Sequence, residues 1–135
     1  MPADAFLDTT VLIYLLKLGD KKSAIADQLL AAGGVLSVQV LNEFASVARR
    51  KLGMSWKEIG EALTNIRELC APPAAITVDT HAAALKIAKR YGFHIYDSLI
   101  LASALEYRCG ILYSEDLQHG QKIESLTVQN PFLSS

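Results

Sequence analysis

The sequence predicts an α/β fold built around a mostly parallel sheet, and three observations support this class. Short apolar runs alternate with longer segments of helical periodicity, which is the pattern of repeated strand–helix–strand units. Glycine or proline residues stand where several of those helical segments should stop. The 135 residues are 51% apolar, enough to bury a core without covalent cross-links. We therefore expect residues 1–135 to form a single domain.

The strands are assigned to the short apolar runs. Each run is only three or four residues long and is rich in aliphatic or aromatic side chains, as expected for strands buried in a sheet. The segments are 5–7, 35–38, 75–78, 111–113 and, more weakly, 126–128. The sequence thus predicts a central five-stranded parallel sheet.

The helices are assigned to the intervening segments, near 10–17, 22–32, 40–52, 56–70, 80–91 and 97–109. Gly33-Gly34, Gly92 and Gly110 stand where three of these segments should stop, and Pro72-Pro73 cannot continue a fourth. The stretch 98–109 is apolar around its whole circumference, which indicates a buried helix. Segment 40–52 instead carries one apolar stripe and should pack with its other face in solvent.

Composition and charge exclude several classes of protein. The 13 basic and 14 acidic residues give a net charge of −1, which argues against a nucleic-acid binder that acts through positive charge alone. Cys70 and Cys109 lack the spacing of a zinc or redox motif, so we expect a reducing compartment. Residues 1–4 include no basic residue, and Asp8 interrupts the apolar run after them. We predict no signal peptide, no membrane association and a cytoplasmic location.

Acidic residues fall where a parallel sheet forms its ligand sites, beyond the carboxyl ends of the strands. Asp8 directly follows the first strand, and Asp116 comes shortly after strand 111–113. Asp97 opens the buried helix. Glu43 borders the apolar stripe of helix 40–52, where an unpaired carboxylate is costly. We expect these side chains to share one cleft.

Each acid also has an ordinary structural interpretation. Asp8 and Asp97 can be helix N-caps, a role worth about 1 kcal/mol, and taken singly capping is the better interpretation of both. Asp116 can be a turn residue and Glu43 a solvated acid beside the stripe. The set favours a shared site because no basic residue lies beside any of its members in the sequence. Clustered carboxylates repel each other unless a cation is bound, and all-oxygen ligands select Mg²⁺ or Mn²⁺.

Each of the four acids lies within a longer motif. The four strings are Phe6-Leu7-Asp8-Thr9-Thr10-Val11-Leu12, Ser37-Val38-Gln39-Val40-Leu41-Asn42-Glu43-Phe44, Tyr96-Asp97-Ser98-Leu99-Ile100-Leu101-Ala102-Ser103-Ala104 and Tyr113-Ser114-Glu115-Asp116-Leu117-Gln118-His119-Gly120. They are separated by 35, 54 and 19 residues from acid to acid. In these motifs and in their order the chain resembles a PIN domain and, within that superfamily, the VapC-type toxins of bacterial and archaeal toxin–antitoxin pairs. The resemblance covers essentially the whole chain.

The resemblance implies a three-layer α/β/α fold and an endoribonuclease that depends on Mg²⁺ or Mn²⁺. It places Asp8, Glu43, Asp97 and Asp116 in the catalytic and metal-binding cluster. Under this hypothesis the three aspartates bind one or two ions directly, while Glu43 holds the second ion or its water shell. The implied partners are an RNA substrate, a small antitoxin protein and a second copy of the chain.

Two further positions are expected to support the acids. Ser114 matches the family's Ser or Thr before the fourth acid, where a hydroxyl can hold a carboxylate or phosphate oxygen. Thr10 stands where the family usually has Asn two residues after the first acid. Threonine keeps a hydroxyl but lacks the reach and the paired donors of the amide.

Other interpretations stay open at this stage. The chain could be a PIN-like module that binds RNA or protein with weak or no catalysis because of Thr10. It could also be a phosphoacceptor domain, but that class would need a lysine after a late strand, and none is evident. Apolar residues of helices 22–32 and 56–70 could receive an antitoxin helix, although core packing is the commoner role. The basic residues 49–51 could guide RNA, although such a cluster often only complements the helix dipole.

Overall fold

A mixed four-stranded sheet lies at the centre of the computed structural model, which describes residues 5–133. Residues 1–4 and 134–135, at the two ends of the predicted domain, lie outside the described residues. The expectation of no signal peptide falls on the first of these segments. The strands run in the order β1-β2-β4-β3, and all but β3 are parallel. They are β1 (Ala5–Leu7), β2 (Ile111–Tyr113), β3 (Lys122–Ile123) and β4 (Leu126–Gln129).

The sheet differs from the predicted five parallel strands, although the three-layer α/β/α class is confirmed. Segment 35–38 pairs with β1 only through a single bridge between Val35 and Phe6. The predicted strand 75–78 does not form, and only the preceding residue, Ala74, makes a bridge, to Ser37. The reason is that Ser37 and Thr77 cap helices, so the chain turns away from the sheet before a strand can lengthen. The antiparallel β3 was not predicted.

Six helices connect and cover the described sheet, each near its predicted position. Helix α1 continues into a short 3-10 turn at Tyr14–Leu16. Oxygen side chains cap five of the six N-termini, and a histidine ring caps the last, which explains why the helices begin where they do. The helices are α1 (Thr9–Ile13), α2 (Lys21–Ala31), α3 (Val38–Arg50), α4 (Trp56–Leu69), α5 (Val78–Tyr91) and α6 (Ile95–Glu106).

The main core lies where α6 and α3 meet the sheet. All seven residues of α6 from Ser98 to Ala104 are buried, which confirms the predicted buried helix. From α3 only one stripe is buried, including Val40, Phe44 and Ala48. Burial of a large side chain such as Phe44 contributes about 1.5–3 kcal/mol, so this packing fixes how α3 and α6 lie relative to each other. No helix in the described part of the chain has the length and apolar character needed to cross a membrane.

Candidate functional site

Asp8 occupies the junction between β1 and α1, where the residue is 6% exposed. The carboxylate accepts hydrogen bonds from the Thr9 amide at 2.7 Å, the Ser114 hydroxyl at 2.7 Å and the Thr10 hydroxyl at 3.3 Å. Ser114 is within reach because Leu7 and Tyr113 are paired in the parallel strands, so the next residue of each strand meets at the same edge. Asp8 is therefore both the N-cap of α1 and a strand-end acid, as both interpretations predicted.

Burial raises the pKa of Asp8 to about 6. The hydrogen bonds from Ser114 and Thr9 oppose this shift, whereas the negative charges of Glu43 and Asp97 add to it. A carboxyl group that keeps such a raised pKa despite its hydrogen bonds lies in surroundings short of positive charge.

Glu43 is held from two sides on the partly buried edge of α3. The Gln39 side-chain amide donates to Oε2 at 3.0 Å, and the Thr9 hydroxyl donates to Oε1 at 3.2 Å. Neither donor was predicted, although Gln39 stands one helical turn before Glu43, a spacing at which side chains meet. These contacts fix the carboxylate beside Asp8 rather than in open solvent.

Asp97 is the third residue of α6 and is half-buried. The N-cap of this helix is His94, whose Nδ1 accepts from the Tyr96 amide, so the capping interpretation of Asp97 is wrong. Burial raises the pKa of Asp97, the charges of Glu43 and Asp116 raise it further, and His94 lowers it. The charges of Glu43 and Asp97 also act on Asp8, so each of the four predicted acids interacts electrostatically with at least one other.

Two adjacent acids after β2 differ in their surroundings. Glu115 pairs with the Lys22 ammonium group and accepts a hydrogen bond from the Tyr14 hydroxyl at 2.7 Å. Asp116 is exposed and makes no ion pair, since the only one within residues 5–133 is that of Lys22 and Glu115. The loop is held by Thr10, whose hydroxyl accepts from the Glu115 amide at 3.0 Å. Thr10 thus connects this loop to Asp8.

Two clefts adjoin at Glu43 and Val47. The first, of about 490 Å³, lies between α3 and the start of α6 and includes Asp97. The second, of about 380 Å³, lies between α1 and α3 and includes Asp116. Three of the four acids therefore border space that a ligand could enter, and buried Asp8 lies behind them.

The donor set fits a hard divalent cation, because it consists of carboxylate oxygens that repel one another and that form no ion pair with Lys or Arg in the described chain. As the side chains stand, no group of three or more His, Cys, Asp or Glu residues between positions 5 and 133 is arranged to hold a metal ion. The chemistry of the donors fits the ion, and their present arrangement does not complete its coordination.

Comparisons with known proteins agree on the fold. The PIN domain family model matches residues 5–122. A structure of Mycobacterium tuberculosis VapC20, a sarcin-ricin loop cleaving toxin, aligns with a TM-score of 0.69 and 20% identity over 83% of this chain and 89% of that one. A toxin–antitoxin complex from Klebsiella pneumoniae contains a chain that aligns with a TM-score of 0.72 and 21% identity over 95% and 98%. No curated protein sequence matches.

Proposed function

This chain belongs to the PIN domain family, and we propose that it is an endoribonuclease that hydrolyses RNA phosphodiester bonds with Mg²⁺ or Mn²⁺ at Asp8, Glu43, Asp97 and Asp116. The observation that carries the proposal is the placement of these carboxylates at and behind two adjoining clefts, where none of them forms an ion pair with Lys or Arg in the described chain. Burial, and to a smaller extent the charges of the neighbouring acids, raise the pKa values of Asp8 and Asp97. A divalent cation relieves the repulsion among these charges, whereas an ordinary structural cluster would be expected to include a basic side chain.

The exposed and the buried acids have different roles in this proposal. When bound, a divalent cation supplies activation of water and neutralisation of charge on the phosphate oxygens. Asp97, Asp116 and Glu43 border the clefts and can turn toward an ion or its water shell. Asp8 is the fixed member, since Ser114, Thr9 and Thr10 orient its carboxylate.

We further propose that the protein is the toxin of a type II toxin–antitoxin pair, with a small antitoxin as its partner and a second copy of itself in a homodimer. The two structural neighbours, a sarcin-ricin loop cleaving toxin and a chain of a toxin–antitoxin complex, support this biological role. An RNA substrate agrees with the sarcin-ricin loop activity of the first neighbour. Residues 1–135 would act as a single cytoplasmic domain.

A cleavage assay tests the enzymatic proposal. Labelled RNA is incubated with the protein in Mg²⁺, in Mn²⁺ and in EDTA, and we expect cleavage with either metal and none with EDTA. Asp8→Asn and Asp97→Asn should lose at least about 10- to 100-fold in rate. The matched control is Asp79→Asn, because Asp79 is an exposed acid in the first turn of α5. Equal activity in all three variants, or activity in EDTA, would refute the proposal.

The second candidate function is a PIN-like module that binds RNA or protein with little catalysis. It is favoured by Thr10 in place of the usual Asn and by the absence of a ready three-ligand arrangement within residues 5–133. Calorimetric titration with Mg²⁺ separates the two candidates. Saturable binding that Asp97→Asn abolishes supports the nuclease, whereas no heat of binding together with retained RNA affinity supports the binding module.

A further inference from the structure

We infer that the cleft between α3 and the start of α6 is a subsite for one unpaired nucleobase of the RNA, in which Tyr96 provides the stacking surface and Arg50 contacts a neighbouring phosphate. This inference rests on the proposed function and adds the way in which the substrate is held.

The walls of the cleft place any occupant against the acidic site. One wall is a single face of α3, whose lining residues recur at helical spacing from Gln39 to Arg50. The opposite wall is the first turn of α6, with His94, Tyr96 and Asp97. Glu43 and Asp97 line the same cleft, which has a volume of about 490 Å³. A volume of this size accommodates a small organic group such as a base with its sugar.

Tyr96 is a fixed aromatic surface that remains open to solvent. The residue is 54% exposed, although Ser98, two positions further along α6, and the following residues to Ala104 are buried. The ring packs against that of His94 with centroids 4.9 Å apart and an interplanar angle of 60°. His94 is itself held in place, because its Nδ1 accepts a hydrogen bond of 3.1 Å from the Tyr96 amide. An aromatic face that is already ordered loses little freedom when a base stacks on it.

Arg50 is the basic group of this cleft that is left available for an anion. Its Nε donates to the Ser46 hydroxyl at 3.0 Å, and in the described chain it makes no ion pair with a carboxylate. The neighbouring Arg49 is engaged, because it donates to the Met54 carbonyl and lies over the Trp56 ring. Arg50 stands seven residues after Glu43, about 10 Å along the helix axis. It can therefore bind a phosphate one step away from the acids.

The arrangement selects RNA with unstacked bases. A base can stack on Tyr96 only if it is unstacked from the neighbouring bases of the RNA. This requirement favours single strands and loops over duplex RNA. Asn42, exposed on the α3 wall, offers a donor and an acceptor to the edge of such a base. The cleft thus supplies stacking, a phosphate contact and hydrogen bonds next to the acids.

The first test compares variants on a single-stranded RNA of about twelve nucleotides and on its duplex. For Tyr96→Ala we expect KM for the single strand, and Kd measured by fluorescence anisotropy in EDTA, to rise about ten-fold, with Tyr96→Phe close to the parent. The matched control is Tyr107→Ala, an exposed tyrosine at the other end of α6. Arg50→Gln should raise KM more than Arg67→Gln, which removes a positive charge on α4.

The second test identifies the base. Once the cleaved bond is mapped, single abasic nucleotides are placed at each position around it. We expect Tyr96→Ala to raise KM and Kd no further when the abasic nucleotide stands at one particular position, because the variant and that RNA lack the same contact. Additive losses at every position, or an unchanged KM and Kd in Tyr96→Ala, would overturn the subsite while cleavage by the parent upholds the nuclease. If the parent neither binds nor cleaves RNA, the proposed function falls as well.

Discussion

The Ser114 hydroxyl donates a hydrogen bond of 2.7 Å to the Asp8 carboxylate, and this bond joins the ends of the neighbouring strands β2 and β1. Both residues are buried, so the bond cannot be replaced by one to solvent. Hydrogen bonds to a charged group are among the stronger ones in proteins. The contact therefore stabilises the ionised carboxylate that a metal ligand requires.

Ser114→Ala should reduce stability most where Asp8 is ionised. We expect a loss of about 1–3 kcal/mol in the free energy of unfolding at pH 8 and a smaller loss at pH 5, as measured by urea titration. The control is Ser103→Ala, since the buried Ser103 hydroxyl has no hydrogen-bond partner in the described part of the chain. That variant should be neutral or slightly more stable. Equal losses for the two serines would contradict the assignment.

Asp8→Asn should stabilise the metal-free protein at neutral pH. Because the pKa of Asp8 is raised from 3.8 to about 6, the folded state holds this proton more tightly than the unfolded state does. Stability from this group is thus fully present below about pH 4 and declines as the pH rises toward about 6 and beyond. Relative to the variant, the parent should lose up to about 3 kcal/mol between pH 4 and pH 7 in EDTA. A difference between the two proteins that does not change with pH would refute the raised pKa.

Mg²⁺ should stabilise the parent because an ion that binds only the folded state shifts the unfolding equilibrium. At 10 mM Mg²⁺ we expect Tm to rise by about 5 °C, as measured by scanning calorimetry. The same ionic strength supplied as NaCl is the control for screening of the acids. Asp97→Asn should lose most of the Mg²⁺ effect and little of the NaCl effect. A rise of the same size with both salts would indicate screening alone.

The positions of the acids were predictable because they follow from local rules. Asp8 comes directly after β1, and Asp97 lies in the first turn of a helix that is apolar on all sides. The rule that ligand sites form beyond the carboxyl ends of parallel strands was therefore enough to predict a shared edge of the sheet. Gln39 was within reach of the same reasoning, since it stands four residues before Glu43. The contact of Thr9 with Glu43 and the cleft that Tyr96 lines both depend on packing between elements far apart in the chain, which periodicity does not reveal.

The sheet was harder to predict than the helices. Strand β3 has only two residues, and its hairpin turn lacks the usual glycine because Glu124 itself adopts a positive φ of 54°. The apolar run at 75–78 had the composition of a strand, yet Thr77 forms a capping box with Thr80 and starts α5 within that run. In this second case local hydrogen bonding outweighed the hydrophobic pattern.

Thr10→Val should lower the cleavage rate by about ten-fold, whereas Thr10→Asn should keep or raise it. The Thr10 hydroxyl accepts from the Glu115 amide and donates to Asp8, so it couples the Asp116 loop to the site. Valine has the same shape without either hydrogen bond, and Asn can supply both. Single-turnover cleavage of labelled RNA measures the rates, and circular dichroism checks the fold. A fully active Thr10→Val would show that the coupling is unnecessary.

Glu115→Gln should leave RNA cleavage within about three-fold of the parent, whereas Asp116→Asn should lower it at least ten-fold. Burial would raise the pKa of Glu115, but the hydrogen bonds from Lys22 and Tyr14 lower it overall, so its charge is already matched. The stabilisation from this pair is present above about pH 4.5 and is lost as the pH falls. Since the Lys22 and Glu115 side chains are 35% and 26% exposed, Tm at pH 7 should fall by no more than about 3 °C. A loss of cleavage in Glu115→Gln that matches Asp116→Asn, with Tm unchanged, would place Glu115 in the acidic site instead.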